Sequence, residues 1–159
     1  MQQDRRHILY SIASLASAAL WSADAAAQPA SAVDEMIAVN RAFDEALSRL
    51  DIVALEALSL QEPHVIAIHP NARQITIGWE EVRKSWLGVA ERFSELSVKL
   101  DNPTAVVRDN VGWVTGTEVV NAKRKTGEVV NYTALTTNIY EKRNGRWLMS
   151  AHLTARVPS

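Results

Sequence analysis

Cysteine is absent from the 159-residue sequence. That excludes disulfide staples, a thiolate nucleophile and any zinc or iron–sulfur site built on thiolates. Net charge is nearly absent as well: 17 Lys+Arg stand against 18 Asp+Glu, giving a formal charge of −1 and a pI near 6.4. Such balance argues against a dedicated nucleic-acid binder, which carries a basic surface. Glycine (6) and proline (5) are sparse, while 47% of residues are hydrophobic and 22% charged. This mixture excludes collagen-like, coiled-coil and disordered classes. There is no Gly-rich phosphate loop, GxSxG elbow, dinucleotide fingerprint or HExxH pair. No cofactor is expected.

The uncharged stretch from Ile8 to Trp21 is too short to span a bilayer comfortably, which takes ~20 apolar residues. It reads instead as the apolar part of an export signal over residues 1–27. Arg5-Arg6 precede it as a basic region, and Ala25-Ala26-Ala27 offer small residues for cleavage before Gln28. Asp4-Arg5-Arg6-His7-Ile8-Leu9 resembles the twin-arginine export motif. Asp4 and Tyr10 match it imperfectly, so ordinary Sec export stays open, as does a fortuitous amphipathic helix. Removing Arg5 and Arg6 together with Asp4 and Asp24 leaves the charge balance unchanged. The expectation is a periplasmic or secreted product, free of the membrane after cleavage, with residues 28–159 as one domain. Such a length, about 130 residues, buries a real core without disulfides.

Ser31 is a plausible helix cap, followed by Met36, Val39, Phe43, Leu47 and Leu50 at steps of three and four. Asp51 can cap a second short helix, which Pro63 ends. His64 to His69 reads as a short strand stopped by Pro70, and Ile75-Thr76-Ile77 as its return. After Gly78, the residues Trp79, Val82, Trp86, Val89 and Phe93 form an amphipathic helix. The remainder reads as β: Leu96 to Leu100, a turn at Asp101-Asn102-Pro103, Ala105 to Arg108, Val111 to Asn121, Val129 to Lys142 and Trp147 to Arg156. Asn144-Gly145 is the strongest hairpin turn signal. The order predicts an α+β fold: a cone-shaped, curved antiparallel sheet of about five to six strands wrapped around three N-terminal helices. A sheet bent that far leaves a cavity where pockets are expected.

Three stretches resemble the SnoaL-like domain of the nuclear transport factor 2-like, or ketosteroid isomerase-like, superfamily. They are Asn40…Phe43-Asp44…Leu50-Asp51…Leu55…Leu58, then Val65-Ile66-Ala67-Ile68-His69-Pro70…Gly78-Trp79-Glu80-Glu81-Val82…Ser85-Trp86, and Thr137 to Trp147 with Ala151-His152-Leu153-Thr154. The resemblance spans nearly all of residues 32–156 and implies a cone of curved sheet closed by helices. It also implies a homodimer through the outer sheet face. The superfamily hosts isomerases, cyclases, hydrolases, dehydratases and non-catalytic binders, so it specifies fold more than activity. Members with known chemistry often keep an Asp–His pair in the cone, yet no strand here carries an obvious interior Asp.

The candidate catalytic residues are His152, Glu118 and His69. On the last strand His152 shares one face with Leu148, Ser150 and Thr154, and Trp147, Met149, Ala151 and Leu153 take the other. A neutral imidazole there could take a proton or orient a carbonyl, or simply bond a backbone carbonyl or partner subunit. Glu118 shares its face with Gly112, Val114, Gly116 and Val120; if that face lines the cone, burial raises its pKa into the range of a general base. If it faces solvent, it is a surface charge. His64, His69 and His152 number enough for zinc, but His64 and His69 point to opposite faces of an ideal strand, and no metal is expected. Candidate ligand contacts are Trp113, Tyr132, Phe43, Trp79 and Asn138, although regularly spaced aromatics also serve packing. Lys123-Arg124-Lys125 is a basic hairpin tip, fit for an anion or for solvation.

Three functions remain in view. The first is an exported domain binding an apolar or amphipathic small molecule. The second is a cofactor-independent isomerase, dehydratase or hydrolase with His152 or Glu118 as base or acid and Tyr132 or His69 as hydrogen-bond donor. The third is a protein-interaction module that uses the sheet face.

Overall fold

A computed structural model describes residues 31–158. The segment expected to direct export, residues 1–27, lies outside them. Helix α1 (Ala32–Ser48) starts at a reciprocal capping box: the Ser31 hydroxyl accepts the Asp34 N–H at 3.1 Å, and the Asp34 carboxylate accepts the Ser31 N–H at 3.2 Å. Met36, Asn40, Phe43, Asp44 and Leu47 fall on one face and are buried. The helix closes with Leu50 at φ 54° and the Asp51 N–H on the Ala46 carbonyl, a Schellman closure made without glycine. Helix α2 (Ile52–Leu58) follows, its first turn held by Asp51. It ends well before Pro63, because Ser59 turns extended and bridges to Met149 in the sheet.

The strands are β1 (Ile66–Ile68), β2 (Thr76–Ile77), β3 (Phe93–Arg108), β4 (Val111–Arg124), β5 (Val129–Arg143) and β6 (Arg146–Arg156), with α3 (Trp79–Arg92) between β2 and β3. They form one six-stranded sheet in the order β2-β1-β6-β5-β4-β3, curved and unclosed. The architecture is α+β, as the sequence predicts, but the sheet is mixed rather than wholly antiparallel. Strand β1 runs parallel to β6, Ile66 beside Ala151 and Ile68 beside Leu153. Hairpin turns dictate antiparallel pairing only between consecutive strands, and β1 is separated from β6 by a helix and four strands.

Two further corrections concern bulges. Asp101-Asn102-Pro103 is not a hairpin turn; the chain continues as the single strand β3, and the register jumps between Asp101↔Thr117 and Thr104↔Thr115. Because β3 is an edge strand, the missing N–H of Pro103 leaves no ladder bond broken on its free side. In β6 the register slips between Ile139↔Ala151 and Tyr140↔Met149, leaving Ser150 unpaired. The slip reverses side-chain parity, so Trp147 and Met149 share the concave side with His152 and Thr154 instead of opposing them. The main core lies between that concave face and the helices, with Phe43 edge-on to Trp86 at 5.6 Å between centroids. Among the described residues, no helix is long and apolar enough to cross a membrane.

Candidate functional site

A cavity of about 400 Å³, partly open to solvent, lies between the concave face, α3 and the loop after β1. Leu47, Trp86, Val89, Leu96, Val120 and Val130 supply much of its apolar wall. Glu118 from β4, Tyr132 from β5, His152 from β6 and His69 just beyond β1 supply its polar groups, while Arg92 and Arg124 also line it. A larger depression, about 600 Å³, lies between α1 and the bulged part of β3. Its walls mix charged side chains such as Arg41, Glu45 and Lys99 with Ile37, Val98 and Leu100; Asn40 and Asp44 border it, and no imidazole reaches it. Among the described residues, both imidazoles and Glu118 meet in the smaller cavity.

His152 is buried in an aromatic box, its ring centroid 5.0 Å from Trp86, 5.4 Å from Phe43 and 6.1 Å from His69. Burial, reinforced by His69, pushes its pKa down to about 3. His69 is lowered to about 4 by burial and by Arg92. Both rings are thus neutral at pH 7, each with one nitrogen free to accept. Nδ1 of His152 lies 2.8 Å from Asn138 Oδ1, and Nε2 of His69 lies 2.9 Å from Ser85 Oγ.

Glu118 is raised to about 7 by burial and then by the nearby Asp44; its Oε1 has no partner among the described residues. Asp44, on α1, is likewise raised to about 7 by burial, partly offset by the Leu100 N–H on its Oδ2 at 3.3 Å. Two neighbouring carboxyls cannot both ionise cheaply in an apolar interior. Tyr132 is raised above its ordinary value by burial and by Glu118.

Of the residues singled out in the sequence, His152, Glu118, His69 and Tyr132 converge on the cavity. Phe43 packs against His152, and Asn138 sits beneath it as a hydrogen-bond partner. Trp113 does not join them. It has opposite parity to Glu118 on the same strand, and the sheet closes on the Glu118 face, leaving Trp113 on the convex side. Trp79 is buried at the start of α3, away from the cavity. His64 is at the surface, 2.9 Å from Glu141, so only two of the three imidazoles meet. Among the described residues no three metal-ligating side chains cluster. The sequence reading missed Asn40 and Asp44 as site residues. Their signal was present: they lie four and eight residues after Met36, polar groups inside an apolar stripe.

No curated protein matches the sequence. Solved structures match its fold. A candidate dehydratase of the NTF2-like family from Streptomyces avermitilis is 22% identical at a TM-score of 0.73, covering 80% of this chain and 97% of that one. A ketosteroid isomerase-like protein from Erwinia carotovora atroseptica is 18% identical at 0.67, with the same coverages of 80% and 97%. The CaMKII association domain of C. elegans is 17% identical at 0.60, covering 75% and 91%. These likenesses establish an NTF2-like fold. The model of the SnoaL-like domain family matches residues 36–155, and with the cone, the helices and the cavity already in place, the chain belongs to that family.

Proposed function

We propose that the cone binds an apolar or amphipathic small molecule, with the molecule's polar end toward Glu118, His69 and His152. One observation carries the reading: a cavity of about 400 Å³ has mainly apolar walls yet presents two neutral imidazoles and a near-neutral carboxyl. That volume is within the range of small-ligand pockets. A cone packed solid would favour the partner-holding module instead, so the open space weighs against it. Native mass spectrometry of the protein purified from its own host tests the reading. A small molecule retained by the wild type and lost in Val130→Trp, which fills the cavity from its wall, is the expected result. No bound mass in the wild type, together with no binding across a panel of apolar alcohols and acids, would overturn it.

The state of Glu118 supports a second reading, cofactor-independent proton transfer. A carboxyl with a pKa of about 7 is suited to take up and return a proton at neutral pH. Tyr132 would donate a hydrogen bond to the charge that develops, because the Nε2 proton of His69 is engaged by Ser85. Similar structures include a candidate dehydratase and an isomerase-like protein. Glu118→Gln is expected to retain ligand binding and abolish turnover; unchanged turnover would remove Glu118 from the mechanism.

We infer in addition that residues 1–27 export the chain to the periplasm or medium, on the strength of Arg5-Arg6 and the uncharged run after them. Replacing both arginines by lysine should block export by the twin-arginine route; export that continues unchanged assigns the Sec route.

A further inference from the structure

We propose that Asp44, Asn40 and Asn138 form a hydrogen-bond relay holding His152 in its Nδ1–H tautomer, so that the cavity offers an acceptor at Nε2 and selects ligands bearing a hydroxyl or N–H over carbonyl compounds. The ligand preference rests on the binding reading above; the tautomer does not.

Each bond's direction follows from the far end of the relay. The Leu100 N–H can only donate, and Asp44 Oδ2 receives it at 3.3 Å; with Asp44 ionised, as at pH 8 above its pKa of about 7, that oxygen can only accept. The same oxygen lies 3.2 Å from Asn40, which therefore turns its NH₂ toward it. Asn40 Oδ1 then faces the sheet, where it accepts from the Tyr140 hydroxyl at 3.0 Å and from the Asn138 NH₂ at 2.8 Å. With its NH₂ so engaged, Asn138 presents Oδ1 to His152 Nδ1 at 2.8 Å. An amide oxygen only accepts, so Nδ1 must carry the ring proton. The ring is buried and neutral, and Nε2 is left with its lone pair.

His69 provides the opposite case in the same cavity. The single proton of Ser85 goes to the Val82 carbonyl at 2.6 Å, so Ser85 Oγ accepts from His69 Nε2. His69 is the Nε2–H tautomer, the form a histidine side chain prefers in water, and His152 is the reverse. Neither His69 Nδ1 nor His152 Nε2 has a hydrogen-bond partner among the described residues, although both residues line the cavity. A ligand hydroxyl satisfies such an acceptor, whereas a carbonyl oxygen meets it lone pair to lone pair. Asn40, Asp44 and Asn138 are positioning residues in this scheme.

The test is nitrogen NMR of the full chain, ¹⁵N-labelled at its four histidines, at pH 8. His152 and His69 are assigned by the loss of their signals in His152→Phe and His69→Phe. His152 should show a protonated Nδ1 and unprotonated Nε2, and His69 the reverse. A protonated Nε2 on His152 overturns the relay. Asn138→Leu should let His152 return to the Nε2–H form, while Asn138→Asp, which still offers an oxygen, should keep Nδ1–H. Persistence of Nδ1–H in a folded Asn138→Leu would also overturn it. The wild-type spectrum decides the tautomer whether or not that variant folds. Cyclohexanol and cyclohexanone then serve as probes of one shape. The alcohol should bind ~5-fold more tightly, the worth of one good hydrogen bond, and shift the Nε2 signal. Equal or tighter ketone binding overturns the donor preference. Failure of both probes to bind would count against the binding reading and the donor preference with it, whereas the tautomer stands on the spectrum alone.

Discussion

A carboxyl on the concave face of a sheet must find a cation or hold its proton, and Glu118 forms no ion pair among the described residues. Its folded pKa of about 7 exceeds its ordinary 4.5. The folded state thus binds more protons than the unfolded state between those values, and the group's contribution to stability falls as pH rises through them. Above pH 7 the ionised form costs on the order of 3 kcal/mol. Glu118→Gln should therefore be more stable than wild type at pH 8, with the gap shrinking toward pH 5, as read from urea midpoints. A constant gap would mean that Glu118 is not buried as an acid. His152 and His69 act in the opposite sense: their lowered pKa values make the fold lose stability as pH drops below about 6.5, through His69 near 4 and His152 near 3. Glu118 was legible in the sequence, because its strand neighbours Gly116, Val114 and Val120 are small or apolar. Asp44 was legible only in part: it interrupts the apolar stripe of α1, but the Leu100 N–H that its carboxyl accepts lies far along the chain.

The two bulges shape the cone and fix which side chains enter it. Opposite the β3 bulge sits Gly116, where a Cβ would lie 2.8 Å from the Asp101 carbonyl oxygen and 3.0 Å from Leu100. Backbone cannot yield as a side-chain tip can, so Gly116→Ala should destabilise by ~1–3 kcal/mol. Gly88 on α3 is the control: nothing lies within 4 Å of its Cβ position, and Gly88→Ala should stabilise by ~0.5–1 kcal/mol through helix propensity. Thermal unfolding of both variants checks the pair, and equal shifts would show that the bulge does not press on β4. The Ser150 bulge has no local signature: Ser150 carries no turn chemistry and no positive φ. It lets Trp147 and Met149 join the core while the His152 side chain bonds Asn138, placements of opposite parity on an unbroken strand.

On the convex side of the sheet, Trp113 is half-buried and Leu135 remains 61% exposed beside threonines of β4 and β5. A homodimer through this face would cover them, and some proteins of similar fold are association domains. Leu135→Arg should then shift sedimentation from dimer to monomer without changing the cavity; a wild type that sediments as a monomer would end this proposal.

Length, composition, apolar periodicity and the Asn144-Gly145 turn were enough to give the α+β class and the order of elements, and the resemblance of three stretches to SnoaL-like domains pointed to the family, because each depends on residues near one another in the chain. They also narrowed the chemistry to histidines and one strand carboxyl by excluding everything built on thiolates, phosphate loops or nucleotide fingerprints. The parallel placement of β1 beside β6, the face on which the sheet closes, and the union of Asp44, Asn40, Asn138 and His152 came only from the folded chain. A strand alternates its sides with period two, so a single unpaired residue such as Ser150 exchanges its faces. Where that residue falls is settled by packing against distant segments rather than by its neighbours in sequence.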